Sequence, residues 1–343
     1  MPRRNCNYPT RYSPSNSPRR VNRTRGSVRS GGGVALYPFD NQTIRIAVRE
    51  WRDHYNDALA MYGHISRWDT SHVTDMNGLF KDFFTFDQPI GEWNTSNVSD
   101  MRGMFDGCES FDQPLNNWNT SKVTDMSSMF SVANAFNKPL GDWDTGQVTD
   151  MNDMFYHALA FNQPLNNWDT SHVISTNRMF CAATQFNTPL SDWNTSNIRD
   201  MSWMFGETKF NQPLSNWNTS AVETMLGMFE LTDAFNQPLN NWETSNVQNM
   251  SAMFAGAVAF NQPLYNWDTS RVTDMSAMFL GAIAFNQPLD MWDVGDVRRI
   301  DKMFHNAVSF DLSRAPRLYR ERVQPEHLGG RVKHYNRYSR SPK

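Results

Sequence analysis

Residues 260–285 read FNQPLYNWDTSRVTDMSAMFLGAIAF, and nearly everything between residues 67 and 311 is a copy of that stretch. Ten tryptophans mark the copies: Trp68, Trp93, Trp118, Trp143, Trp168, Trp193, Trp217, Trp242, Trp267 and Trp292. They stand 25 residues apart except for Trp193 and Trp217, which are 24 apart. The shortfall lies between Phe205 and Phe210, where other copies place five residues between two phenylalanines, so the missing residue is expected in a turn and not in the core. A fixed period of this length signals stacked supersecondary units, none able to bury its apolar face alone. The chain is expected to be a solenoid.

Within the quoted copy the large apolar positions are Leu264, Trp267, Val272, Met275, Met278, Phe279 and Phe285, with Ala282 and Ala284 between them, and these are expected to face inward. The segment Leu264-x-x-Trp267-x-Thr269 is short and alternates in-out-in along its residues, with these three inward, as one short parallel β-strand per repeat requires. Val272, Met275, Met278 and Phe279 follow the three and four spacing of a short helix or 3₁₀ turn, with Thr269 or Ser270 placed to cap its start. The Asn286-Gln287-Pro288 corner then returns the chain, because proline fixes φ and Asn makes local side-chain turns.

The resulting pattern, L-x-x-W-x-T-S-x-V-x-x-M-x-x-M-F-x-x-A-x-x-F-N-Q-P, resembles the BspA-like leucine-rich-repeat family over residues 34–311. Nine copies carry phenylalanine followed by Asn or Asp, any residue and proline, from Phe86-Asp87-Gln88-Pro89 to Phe285-Asn286-Gln287-Pro288. The resemblance implies an α/β repeat, a leucine-rich-repeat-like solenoid, that binds and does not catalyse. It also implies kinship with bacterial surface or lipoprotein-like molecules and with relatives in protists and large DNA viruses.

The net charge of −3 conceals a division. Residues 1–33 carry eight arginines and no acid, and residues 312–343 carry nine Lys or Arg against Glu321 and Glu326. The stretch between them holds 15 basic and 33 acidic residues, so an acidic rod bears two basic tails. Cys6, Cys108 and Cys181 share no motif spacing, which fits a reducing compartment or indifference to it. The first residues, MPRRNCNYPTRYSPSNSPRR, show no apolar signal core, and no apolar run reaches membrane-spanning length. The expectation is an intracellular or virion-associated protein.

Four segments follow. Residues 1–33 are rich in Arg, Ser and Pro, bury too little apolar surface to offset the entropy of ordering, and are expected to be a disordered basic tail. Their Ser13-Pro14 and Ser17-Pro18 pairs fit either proline-directed phosphorylation or incidental composition. Residues 34–66 place Ile44, Ala47, Val48 and Trp51 at helical spacing after Asn41 and Thr43, with Leu59 and Tyr62 continuing the face before Gly63. This is the helical N-terminal cap a solenoid needs over its first rung. Residues 67–311 are ten repeats. In the fifth, Ser175 and Thr176 stand where Asp and Met are usual, making that rung the weakest; in the tenth, Val294, Arg299 and Ile300 break the pattern. Residues 312–343 comprise a remnant that folds over the end and a second basic tail.

No chemistry stands out. The histidines are scattered, and His72 and His172 at equivalent positions lie four repeats apart, roughly 19 Å. No zinc spacing, phosphate-binding glycine loop or nucleophile with an adjacent base occurs, so neither cofactor nor metal nor enzymatic activity is expected. The recurrent Asp75, Asp100, Asp125, Asp150, Asp200 and Asp274 have a structural explanation near a helical first turn. The Asn-x-Thr/Ser strings, such as Asn94-Thr95-Ser96, recur because the repeat recurs.

Candidate contact residues remain. Positions flanking each tryptophan are expected to face outward and to favour a basic protein partner, with Asp142, Asp144, Asp169 and Asp192 in their midst. The competing account of this face is a solvated amide ladder. Tyr265 and Met291 are apolar residues in adjacent copies of that face, and Trp203 and Leu226 are neighbours on the other wall. In the tails Arg3, Arg4, Arg19, Arg20, Arg23, Arg25, Arg337 and Arg340 are suited to phosphates or to acidic protein, including other copies of the rod. The favoured reading is a non-enzymatic interaction or structural solenoid; the alternatives are a nucleic-acid-associated protein and an exported adhesin.

Overall fold

A computed structural model describes residues 38–322. The tail arginines singled out above, and the disorder expected of residues 1–33 and of the C-terminal tail, lie outside the described residues. Each repeat makes one turn of a coil. Successive turns are joined by isolated parallel bridges in one column, Asp75 to Asp100 to Asp125 and so on to Asp274 and Arg299.

The inward positions are as the pattern predicts. Leu264, Trp267, Val272, Met275, Met278, Phe279, Ala282 and Phe285 are all buried, and every tryptophan of the ladder is at most 4% exposed. Ala284 is half-buried and uses its N–H on the Val258 carbonyl of the preceding rung. The rings form columns along the axis. Trp143 and Trp168 are parallel at 6.5 Å, Phe155 and Phe180 at 5.6 Å, and within a rung Phe155 meets Phe161 at 3.9 Å.

The expected strand is not where the sequence placed it. The Trp267 N–H closes a turn on the Leu264 carbonyl, and the Val272 N–H closes another on Thr269. Main-chain donors used inside the rung cannot ladder to the next one. Side chains make that link instead: the Trp267 indole donates to the Leu239 carbonyl behind it at 2.9 Å, and the buried Thr269 hydroxyl donates to the Asp293 carbonyl ahead at 2.7 Å.

The expected helical turn is also absent. Alternate residues Met275, Ala277, Phe279 and Gly281 donate to Arg299, Asp301, Met303 and His305 in the next rung. A helix would need those same N–H groups four residues back in its own segment. The segment is therefore a run of tight turns, Met278 N–H to Met275 and Ala282 N–H to Phe279, with Ala277 and Gly281 at φ 56° and 68°. All ten copies keep two such left-handed positions four residues apart, as in Ser128 with Val132 and Asp153 with His157. The start is held by the recurrent aspartates and not by Thr269 or Ser270: the Asp274 carboxylate accepts the Ser276 N–H at 2.9 Å.

The Asn corners also reach between rungs. Asn137 accepts the Asn162 N–H at 3.0 Å on its side chain, Gln163 adds a bond to the same oxygen, and the series continues to Asn286 and Asp311. The deletion after Phe205 lies in a turn as expected. Thr208 bridges it by donating to the Phe205 carbonyl, and Phe210 stays stacked on Phe186 at 6.0 Å.

Two ends close the core. Helices α1 (Thr43–Asp53) and α2 (Tyr55–Tyr62) form the N-terminal cap, with Ile44, Ala47, Val48 and Trp51 buried. In α2 the buried residue is Ala58, whereas Leu59 turns outward because the chain breaks at His54 and the helical face does not carry through. Asn41 accepts the Thr74 and Asp75 N–H groups, so it pairs the first rung's edge and does not cap the helix, a task taken by Asp40. Helix α3 (Arg317–Arg322) covers the other end, Tyr319 meeting Phe304 edge-on at 5.2 Å.

Candidate interaction surfaces

The two positions flanking each tryptophan from Trp93 to Trp292 are exposed, including Asp142, Asp144, Asp169 and Asp192, whereas Asp69 beside Trp68 is half-buried. Local bonds orient the carboxylates of Asp144, Asp169 and Asp192. The Ser171 hydroxyl and N–H bonded to Asp169 hold its pKa below the usual carboxylate value, and Asp268 is held down in the same way by Ser270. Asp144 accepts the Gly146 N–H at 3.0 Å. Asp192 pairs across a rung with Asn166, giving an N–H at 3.0 Å and receiving the amide at 2.6 Å. The face thus combines an amide ladder with fixed, charged carboxylates. The Asn-x-Ser strings have the same local origin, since Asn94 accepts both the N–H and the hydroxyl of Ser96.

Tyr265 and Met291 are 53% and 79% exposed on this face. Trp203 and Leu226 do lie on neighbouring rungs, the Trp203 N–H reaching the Leu226 carbonyl at 2.7 Å, but both are half-buried and not outward. The Trp203 ring lies over Gly227 and its indole N–H reaches Glu230 at 3.0 Å, so packing occupies it. Gly227 leaves room there that a Cβ would fill.

Two features escaped the sequence reading. Val258, Ile283 and Val308 form an apolar column on the last three rungs, with Ile283 49% and Val308 71% exposed; their shared offset from the tryptophan was the available signal. Between α1 and the first rung lies an open cavity of about 190 Å³ lined by Arg45, Arg49, Arg52 and Lys81. Three of those cations are paired, with Asp75, Asp53 and Asp106 respectively. This cavity has no sequence signal, because the repeat and the cap approach each other only in space.

Among the described residues no group of three or more His, Cys, Asp or Glu is placed to hold a metal ion, and no helix is long and apolar enough to cross a membrane. The Cys108 thiol is buried and donates to the Phe80 carbonyl, and burial pushes its pKa up, which leaves no reactive thiolate.

A coil of about 25 residues per turn, little regular helix or strand, an aromatic spine and an exposed carboxylate-amide face define a repeat protein with a regular lateral surface. The chain belongs to the family described as Mycoplasma protein of unknown function, DUF285, whose model matches residues 49–167, 160–261 and 232–316. Successive overlapping matches are what an internal repeat produces. No curated protein matches the chain.

Proposed function

We propose that this protein is a non-enzymatic interaction or structural solenoid, a BspA-like variant of the leucine-rich-repeat coil in which a bridge and a turn stack replace the strand and helix. It presents the face flanking the tryptophan ladder to a basic protein partner, within an intracellular assembly such as a virion. The observation that carries this reading is the continuous exposure of both flanking rows from Trp93 to Trp292, with carboxylates such as Asp142, Asp144, Asp169 and Asp192. Fixed, like-signed charges on regular rungs attract a partner of opposite sign. The test is an affinity pull-down with the intact chain, repeated after Asp142, Asp144, Asp169 and Asp192 are changed together to Asn. Loss of a reproducible basic partner is expected, and unchanged capture rejects the face.

A second reading, phosphate binding through the tails, is favoured by eight arginines without an acid in residues 1–33. Sedimentation with and without DNA at two ionic strengths separates the two. Tail-dependent binding that falls log-linearly with salt supports nucleic acid, and salt-sensitive self-association lost on tail removal supports contacts between copies.

A further inference from the structure

The hydrogen bonds of the turn wall have a direction. In each of the first nine rungs the alternate N–H groups point to the carbonyls of the rung that follows, as Met275, Ala277, Phe279 and Gly281 do. In the last rung the equivalent residues are Ile300, Lys302, Phe304 and Asn306. Among the described residues none of these four N–H groups has an acceptor. The turns themselves are intact: Met303 N–H closes on Ile300, His305 on Lys302 and Ala307 on Phe304, and Lys302 and Asn306 keep φ at 58° and 60°. The donor row is therefore preformed.

The two ends of the rod differ here. At the first rung the cap supplies partners, Asn41 to the bridge and Arg45 to the Asn77 carbonyl at 2.6 Å. At the last rung α3 covers the ring stack through Tyr319, and the Arg314 carbonyl takes the Leu289 N–H on the corner, but neither serves the turn wall. Asp301, Lys302 and Asn306 are exposed along that edge. Charge reverses too. Residues 298–322 contain seven Lys or Arg and three acids, on a rod that is otherwise acidic.

We propose that this edge binds an acidic, turn-forming peptide segment of another protein, which docks as an eleventh rung. Its carbonyls at alternate positions accept from Ile300, Lys302, Phe304 and Asn306, in the manner of a strand added to an open sheet edge. Its carboxylates meet Arg298 and Lys302. Because the wall carries two left-handed positions four residues apart, the segment needs glycine at that spacing. Because Tyr319 already covers Phe304, it needs small residues where a repeat would place Met and Phe. The residues that follow α3 are basic in sequence, and so are a poor electrostatic match to this edge.

The test is amide hydrogen exchange on the full chain with the synthetic peptide Asp-Ala-Asp-Gly-Ala-Ala-Asp-Gly, and with its counterpart carrying Lys for Asp. In the free chain the amides of residues 300, 302, 304 and 306 are expected to exchange far faster than those of Ala277 and Gly281. Millimolar acidic peptide slows them about tenfold or more, the lysine peptide does not, and added salt weakens the effect. The double variant Arg298→Glu, Lys302→Glu abolishes the slowing while tryptophan fluorescence reports an intact stack. Three outcomes overturn the proposal: four amides already as slow as Ala277 and Gly281 in the free chain, which means the chain fills its own edge; no slowing by the acidic peptide; or equal slowing by the lysine peptide, which removes charge recognition.

Discussion

The indole of Trp193 donates its N–H to the backbone carbonyl of Leu165, 2.9 Å away in the preceding rung. The bond recurs from Trp93 and Ile65 to Trp292 and Leu264, so each tryptophan ties its rung to the one behind it while filling the core. The Leu165 carbonyl also accepts the Trp168 N–H at 3.1 Å. Trp193→Phe should therefore cost only about 1 kcal/mol, since the carbonyl keeps one donor. Trp193→Ala, which empties the interior, should cost about 3 to 5 kcal/mol. Denaturant melts of the two variants check this, and equal losses would show that the ring fill is not the larger effect.

Trp203 gives the comparison on the other wall. Its half-buried ring over Gly227 and its bond to Glu230 mean that Trp203→Ala should cost about 1 to 2 kcal/mol, below the loss at Trp193. A loss under about 0.5 kcal/mol, the range of ordinary surface sites, would place the ring in solvent after all.

Val132 occupies a left-handed position at φ 57°, which a β-branched residue adopts only at a cost. Gly107 and Gly256 fill the same position in other copies. Val132→Gly should raise stability by about 1 kcal/mol, with the bond from its N–H to the Tyr156 carbonyl retained. Ser127→Gly, nearby but outside the left-handed positions, should lower it. Thermal melts that move both variants in the same direction would contradict the assignment of strain.

Asp150 sits in the bridge column beside Asp125, and its pKa is raised, first by burial and then by that neighbouring charge. A raised folded-state pKa contributes stability that is complete below the unfolded carboxylate value and is lost as pH rises through the folded value. At pH 7 the ionised group is thus a net cost. Asp150→Asn removes it and keeps the turn, as Asn249 does by accepting the Ser251 N–H at 2.9 Å. The gain should be a few tenths to about 1 kcal/mol at pH 7, limited by partial exposure, and should vanish near pH 3. Melts across that range with a constant difference would rule out the electrostatic origin.

Thr176 is fully buried where eight other copies carry methionine and the tenth carries Ile300, and its hydroxyl has only long contacts, 3.4 Å to the Asp200 carbonyl and 3.4 Å to the Met204 sulfur. The fifth rung should open first. Hydrogen exchange across residues 160–185 should be faster than in adjacent copies, and Thr176→Met should slow it and add about 1 kcal/mol or more. Uniform protection through these rungs would remove the weak point.

The period of 25, the ten indoles and the inward set Leu264, Trp267, Val272, Met275, Met278, Phe279 and Phe285 could be read from residues alone, because burial of large apolar groups recurs with the repeat and needs no knowledge of backbone path. The exposed rows beside the tryptophans were legible for the same reason. Secondary structure was not. A three and four spacing looks helical, and an alternating Leu264, Trp267, Thr269 looks like a strand, but either element requires its N–H groups to be free for its own ladder. Here alternate donors such as Met275 and Ala277 leave for the next rung, and the Trp267 donor closes a turn. That choice depends on a neighbour 24 or 25 residues away, at a distance only the stacked coil establishes. The same stacking laid the Trp203 ring over Gly227, set Asn41 on the first rung's edge, and left the N–H groups of Ile300, Lys302, Phe304 and Asn306 without a following rung, since where a hydrogen-bonded stack begins and ends is a property of its tertiary contacts.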